Sequence, residues 1–154
     1  MLIEQHFTVD APLSAVWAFF TDVPAVASCV PGVEHVEAVD ERTYQGMMHV
    51  KVGPLGFRLN GRVAEQEIDE AARSATLTVS ADDRRLGGGV NATLRLRMSE
   101  APGGTAVTLE TEAAVFGRLG QLGQGVVKLA ADAVMKDFAA RVRRRIAQPA
   151  AGES

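Results

Sequence analysis

The sequence predicts an α+β fold in which a curved antiparallel sheet packs against one long C-terminal helix. Between Val33 and Val115 apolar and polar residues alternate with a period of two, and from Phe116 to Ile146 apolar residues recur at spacings of three and four. Such alternation is typical of an antiparallel sheet with one buried and one solvated face. Because a long helix buries its apolar stripe only against another element, the strands are its expected partner.

The segment before residue 33 predicts one strand and two short helices. Leu2 to Val9 is predicted to form the strand. Asp10 is a suitable N-cap and Pro12 suits a first helical turn, so a short helix with an apolar side should follow. Pro24 can begin a second helical turn, which the Pro-Gly pair at 31–32 ends.

Six further strands are predicted, which makes seven with the first. Charged, glycine and proline residues separate them, as expected for hairpin connections. The alternation breaks between Glu65 and Ile68, where we expect a β-bulge or the end of a strand. The predicted strands begin at Val33, Thr43, Phe57, Ala75, Val90 and Val107.

The predicted helix from Phe116 to Ile146 changes character along its length. Its first half should cover the core and its last turns should pass the rim, because charged side chains replace apolar ones there. Four arginines lie near its end, where the helix dipole favours cations, and we prefer this explanation. The alternative is peripheral contact with anionic lipid or an acidic partner through Arg141, Arg143, Arg144 and Arg145.

Length and composition limit the classes of protein. The 154 residues predict one domain at 1–147, followed by a flexible tail at 148–154. A net charge of -3, a pI near 5.6 and few aromatic residues argue against nucleic-acid binding. We expect neither an export signal nor a membrane span, and the single Cys29 cannot form an internal disulfide, so we predict a cytoplasmic protein.

The predicted inner face of the sheet contains many small residues: Gly61, Ala75, Ala81, Ala92, Thr111 and Ala113. A bent sheet closed by one helix and lined by small groups can enclose an apolar ligand. Small residues can equally admit close helix packing without a cavity, and the pattern favours neither. If the cavity exists, we predict a lining of Met48, Val50, Phe57, Leu59, Leu77, Val79, Leu94, Leu96, Leu109, Phe116, Leu122, Val126 and Leu129.

Neither catalytic nor metal-binding residues are predicted. His6, His35 and His49 fall on different predicted strands, without cysteine or carboxylate partners at metal-ligand spacing. Cys29 has no base at a defined spacing. The alternative is an enzyme that uses His49 or Tyr44 as acid or base; the phase of the alternation places Tyr44 inward and argues against His49.

Five short motifs give the sequence a family resemblance. They are Ala11-Pro12 with Trp17, Asp22-Val23-Pro24, Cys29-Val30-Pro31-Gly32, Val50-Lys51-Val52-Gly53-Pro54 and Gly120-Gln121-Leu122-Gly123. In this order the chain resembles the CoxG family, that of the carbon monoxide dehydrogenase G subunit, within the START-like, or SRPBCC, superfamily, over about residues 1–147. The resemblance implies a helix-grip fold of the Bet v 1 type: a curved seven-stranded antiparallel sheet wrapped around the C-terminal helix, two short helices after the first strand, and an apolar cavity.

The resemblance also implies a function. Members of this family are similar to accessory factors for molybdenum-containing hydroxylases and dehydrogenases, with proposed roles in carrying a quinone-like lipid or in membrane recruitment. We therefore expect a non-enzymatic protein, without a cofactor, that binds a small apolar ligand and works beside such an enzyme at the inner face of the membrane. Two alternatives remain: a cyclase or hydrolase acting on an apolar substrate in the same cavity, and a pure adaptor that recruits a partner enzyme to the membrane.

Overall fold

The computed structural model describes residues 1–147, and the predicted tail at 148–154 lies outside them. Strand β1 is followed by two short helices, six strands and two helices. Their bounds are β1 Leu2–Val9, α1 Leu13–Phe20, α2 Val23–Ala27, β2 Val33–Ala38, β3 Thr43–Val52, β4 Leu55–Asp69, β5 Ser74–Asp82, β6 Gly89–Ala101, β7 Gly104–Phe116, α3 Gly117–Gln121 and α4 Gln124–Ala147.

The seven strands form one antiparallel sheet in the order β1-β7-β6-β5-β4-β3-β2. From β2 to β7 each strand pairs with the next in the chain, and β1 returns to pair with β7. The register shifts between Glu65 and Glu67, which confirms the bulge expected from the break in alternation. The sheet curves around α4, as the predicted fold class requires.

The C-terminal helix is interrupted, so the prediction of one helix from Phe116 to Ile146 was wrong. Phe116 is the last residue of β7, and a break at Leu122 and Gly123 separates α3 from α4. Gly117 and Gly123 have φ angles of 64° and 92°. The left-handed conformation of Gly123 ends the helix, and that of Gly117 lies at the junction of β7 with α3; glycine adopts this conformation readily.

The first helix begins later than predicted, and the second has an aspartate as its N-cap. Pro12, and not Asp10, is the N-cap of α1, because a tight turn from Val9 to Ala11 precedes the helix. Asp22 caps α2 by accepting a hydrogen bond from the backbone N–H of Ala25 at 3.3 Å.

The buried core has two separate parts. The first, here called the α1 core, joins α1 and the second half of α4 to the sheet: Val9, Val16, Trp17, Cys29, Ala75, Leu96, Met98, Val107, Phe138 and Val142. The second, the α3 core, lies below α3 at the other end of the sheet: Val52, Phe57, Leu59, Ala81 and Leu119. Each is a continuous apolar cluster, so the two ends of the molecule are packed independently.

Asp83 organises the turn between β5 and β6. Its side chain is only 2% exposed and accepts hydrogen bonds from the backbone N–H groups of Arg58, Arg85 and Leu86 at 2.8 to 2.9 Å. The N–H group of Arg58, then that of Leu86, holds the pKa of Asp83 below its ordinary value. The carboxylate therefore ties this turn to the start of β4 and supports the α3 core.

We predict that Asp83→Asn lowers the free energy of unfolding by about 1–3 kcal/mol at neutral pH, because an amide oxygen cannot serve all three N–H groups. The pKa of Asp83 is lowered by folding, so its contribution is complete above the ordinary value of 3.8 and is lost as the pH falls through the folded value. The deficit should therefore shrink in acid. Urea unfolding at several pH values measures it, with the exposed neighbour Asp82→Asn as the control. A deficit that does not depend on pH would contradict the assignment.

Candidate functional site

The inner face of the sheet is only partly covered between the two cores. Seven inward-facing apolar residues there are half-buried and belong to neither core, and they define what we call the inner groove: Tyr44, Met48, Val63, Leu77, Val79, Ala92 and Leu94. Four of them, Met48, Leu77, Val79 and Leu94, belong to the predicted lining. An apolar surface that the protein itself does not bury is the expected floor of a ligand site.

The sheet register confirms that the groove is continuous. Tyr44 is paired with Val63, Val63 with Val79, and Val79 with Ala92, so one row of inward side chains crosses four strands. Leu77 and Leu94 pair in the next row. Tyr44 therefore points inward, as the alternation predicted.

At Gly61, the missing side chain deepens the groove and does not serve close packing of a helix. A Cβ atom on Gly61 would meet only the Cβ of Ala81 at 3.5 Å and a backbone oxygen at 3.7 Å, which are ordinary contacts. Its partner on β3, Gly46, differs, because a Cβ there would lie 3.3 Å from Cγ2 of Val36 on β2. Ala75 and Ala81, in contrast, are buried in the cores. Some small residues therefore leave space in the groove, as at Gly61, and others allow close packing in the cores, as at Ala75 and Ala81.

Helix α4 meets the sheet mainly at β1 and β3. At its start, a Cβ on Gly53 would lie 3.2 Å from Cγ1 of Val126. Further along, the amide of Gln5 donates to the carbonyl of Ala131 at 3.4 Å and to Oδ1 of Asp132 at 3.2 Å. The helix therefore crosses the inner face between β3 and β1, and it meets the middle strands through the two cores on either side of the groove.

Asp132 and its partners fix the rotation of α4. Lys128 donates to Asp132 at 2.7 Å and, with Gln5, keeps the pKa of Asp132 below its ordinary range. Leu129 lies nine residues before the buried Phe138, and at about 100° per residue the two point in opposite directions. The side chain of Leu129 is accordingly 72% exposed.

Two of the predicted lining residues therefore lie elsewhere. Leu129 is on the solvent side of α4, because the buried stripe of this helix follows Phe138 and Val142. Phe116 is 44% exposed, since it follows the inward residue Val115 and has the outward phase of β7. These two assignments were wrong.

The other seven predicted residues lie at the ends of the groove. Phe57 and Leu59 are buried in the α3 core, and Val50, Leu122 and Val126 pack against it. Leu96 is buried in the α1 core, and Leu109 packs against it. Val63 and Ala92, which the predicted lining omitted, have the same inward phase as the residues it included, so the alternation could have found them.

A depression of about 340 Å³ lies where β7 meets the start of α4. Its lining includes Val115, Gly120 and Val127, together with Ala113, which pairs with the groove residue Ala92. The depression therefore adjoins the row of side chains that forms the groove floor. It is a candidate entrance for a ligand.

The histidines face away from the groove. His49 contacts the carboxylate of Glu34 at 2.6 Å, and Nδ1 of His6 lies 3.2 Å from the hydroxyl of Thr108. His35 lies 3.7 Å from Glu34 and is largely exposed. In residues 1–147, no group of three or more histidine, cysteine or acidic side chains is arranged to hold a metal ion.

Three of the four arginines near the end of α4 make contacts within the domain. Arg143 donates to the carbonyl of Thr8 at 2.9 Å, and Arg145 donates to the hydroxyl of Ser28 at 2.9 Å. Arg141 forms an i,i+4 ion pair at 3.7 Å on its own helix. The first two contacts tie α4 to β1 and to the C-cap residue of α2. No helix within the described residues is long and apolar enough to cross a membrane.

The curved seven-stranded sheet around a long C-terminal helix is the START-like, or helix-grip, fold. A conserved protein from Geobacillus kaustophilus is similar over 96% of this chain and 95% of its own, with a TM-score of 0.86 and 18% identity. The Zhui aromatase/cyclase from Streptomyces sp. R1128 is similar over 99% and 98%, with a TM-score of 0.69 and 17% identity. A START superfamily protein from Mycobacterium smegmatis is similar over 94% and 96%, with a TM-score of 0.69 and 11% identity.

Sequence comparison then narrows the class to a family. The family model for the carbon monoxide dehydrogenase G subunit (CoxG) matches residues 6–147. The chain belongs to the CoxG family, which confirms the resemblance that its motifs indicated. No match was found among curated proteins.

The placement of α4 predicts opposite outcomes for two of its apolar residues. Leu129→Gln should change the free energy of unfolding by less than about 0.5 kcal/mol, because its side chain faces water. Phe138→Ala should lower it by about 3–5 kcal/mol, because Phe138 fills the α1 core. Denaturant unfolding of both variants measures the contrast. A large loss at Leu129 would show that the opposite face of the helix packs on the sheet.

Proposed function

We propose that this chain binds a small apolar ligand, lipid-like or quinone-like, in the inner groove. The observation that carries the proposal is the row of half-buried apolar side chains that neither core covers. The candidate entrance beside Val115 and Val127 supports it. Membership of the CoxG family and the START-like fold are consistent with apolar ligand binding.

Burial of apolar surface would supply most of the affinity. About 300 Å² of ligand surface covered at about 25 cal/mol per Å² is worth about 7–8 kcal/mol before the costs of ordering and association. Leu77, Val79 and Leu94 offer no hydrogen-bonding side chain along the middle of the groove. We therefore expect selection by shape and length there, with polar recognition confined to the ends.

The accessory role is the second part of the proposal. The family takes its name from carbon monoxide dehydrogenase, and we propose that the chain serves a molybdenum-containing dehydrogenase without catalysing a reaction itself. It would work in the cytoplasm, at or near the inner face of the membrane. The internal contacts of Arg141, Arg143 and Arg145 favour a structural role for these cations over the pure adaptor.

Tyr44 gives one reason to retain an enzyme as the second candidate. Its phenol lies on the groove side of β3, where an acid or base of a cyclase would have to be. The Zhui aromatase/cyclase shares the fold, though not enough sequence to share a mechanism by inference. Extraction of the bound molecule before and after long incubation would distinguish the candidates. A wild-type product that Tyr44→Phe fails to form would establish the enzyme.

Filling the groove should prevent ligand uptake. We predict that Leu94→Trp abolishes retention of a lipid or quinone from a mixture, because the added ring occupies the space above Leu77 and Val79. Native mass spectrometry of the gently purified protein, followed by organic extraction, measures retention. The matched control is Thr93→Trp, which places the same ring on the outer face of the same strand.

The two variants separate the possible results. Loss of retention in Leu94→Trp alone, with both variants folded, would support the groove as the ligand site. Equal retention in wild type, Leu94→Trp and Thr93→Trp would contradict it. A wild type that takes up nothing would favour the adaptor.

A further inference from the structure

A carboxylate lies at the border of the inner groove. Glu65 is paired with Leu77, and directly paired residues of an antiparallel sheet project from the same face. The bulge between Glu65 and Glu67 keeps Glu65 on the inner side, while the amide of Gln66 donates to Thr78 on the outer face at 3.1 Å. Glu65 is half-buried. The groove is thus apolar in its middle and acidic at one end.

A phenol stands beside this carboxylate. Tyr44 is paired with Val63, two residues before Glu65 on β4, so Tyr44 and Glu65 are diagonal neighbours on the inner face. Such neighbours lie about 7–8 Å apart, within reach of one group bound between two long side chains. The backbone N–H of Glu65 donates to the carbonyl of Arg42 at 2.8 Å, which keeps the strands paired here.

Neither group is used by the protein itself. Within residues 1–147, the Tyr44 hydroxyl and the Glu65 carboxylate make no hydrogen bond or ion pair with another side chain. Two nearby arginines pair with other carboxylates: Arg73 with Glu70, and Arg95 with Glu110. Among residues 1–147, every buried side-chain nitrogen or oxygen atom has a hydrogen-bond partner. Because the Tyr44 hydroxyl and the Glu65 carboxylate have no such partner, they are in contact with water in the free protein.

We propose that Tyr44 and Glu65 select an apolar ligand that ends in an uncharged hydroxyl group and disfavour a fatty-acid carboxylate. This inference rests on the proposed function. A ligand that covers Leu77 displaces water from the neighbouring polar groups, which then need new partners. A hydroxyl group can donate to the carboxylate of Glu65 and accept from the phenol of Tyr44. A ligand carboxylate has no proton to donate and carries the same charge as Glu65, so it is repelled.

The test compares 1-dodecanol with dodecanoate, which share one chain length and differ in their polar end. Each displaces a neutral fluorescent probe, N-phenyl-1-naphthylamine, from the full chain at mildly alkaline pH. A carboxylate loses more hydration than an alcohol when it enters any apolar site. The ratio of the two affinities in the wild type is therefore not decisive by itself. The decisive quantity is the change in that ratio when Glu65 loses its charge.

We expect Glu65→Gln to strengthen dodecanoate binding about tenfold and to leave dodecanol within about threefold. Glu67→Gln is the matched control, because it removes the same charge two residues away beyond the bulge and should change neither affinity. Tyr44→Phe should weaken dodecanol several-fold without affecting the naphthylamine. This second variant also carries the test if Glu65→Gln fails to fold.

The outcomes are distinguishable. If Glu65→Gln and Glu67→Gln give the wild-type ratio while all three proteins take up the naphthylamine, the inference is overturned and the groove remains a ligand site. If the folded wild type takes up neither the naphthylamine nor dodecanol, both the inference and the proposed function are overturned. A selective gain for dodecanoate in Glu65→Gln supports both.

Discussion

One helix is too narrow to cover a seven-stranded sheet, and this mismatch shapes the whole structure. Seven strands at a spacing of about 4.8 Å span about 29 Å, whereas a helix with its side chains is about 10–12 Å wide. The chain covers the remainder with α1 at one end and α3 at the other, each over its own apolar cluster. Neither α1 nor α3 covers the middle of the inner face, and this uncovered part is the inner groove.

The contacts of α4 follow from the same mismatch. The helix is fixed at its start near Gly53, in its middle by Gln5, and towards its end by the α1 core. Gln5 is a polar residue among inward apolar ones, and its amide satisfies both a helix carbonyl and a helix carboxylate. A bridge anchored in this way can stand over a groove without collapsing into it, because the two cores hold it on either side of the groove.

Much of the fold could be predicted from the sequence because the relevant signals are local. Side chains alternate across a strand with a period of two, so the inward positions of Leu77, Val79 and Leu94 were readable without the structure. The bulge after Glu65 was readable for the same reason. The break at Gly123 was not, because glycine within a helical pattern is often tolerated, and only the left-handed φ of 92° shows that the helix stops there.

The errors in the site have a tertiary cause. Leu129 follows Val126 by three residues, and spacing alone could not tell that the buried stripe continues from Val126 through Ala130 and Phe138 and leaves Leu129 in water. Phe116 was assigned to the predicted helix, so the alternation of the preceding strand was not applied to it. As the last residue of β7 it faces outward.

The separation of the cores from the groove allows stability and ligand preference to change independently. Phe57 is fully buried in the α3 core, and Val107 and Val142 are fully buried in the α1 core. Substitutions at these positions remove packing that the fold requires. Leu77 and Val79 are half-buried and lie in neither core, so replacing them removes less packing from the free protein. A family built on this plan can therefore vary the floor of its groove, and polar residues at the groove's end such as Glu65, at little cost to folding. Under the proposed function, the ligand class should follow those positions more closely than it follows the fold, and the structures at 11% to 18% identity indicate the architecture alone.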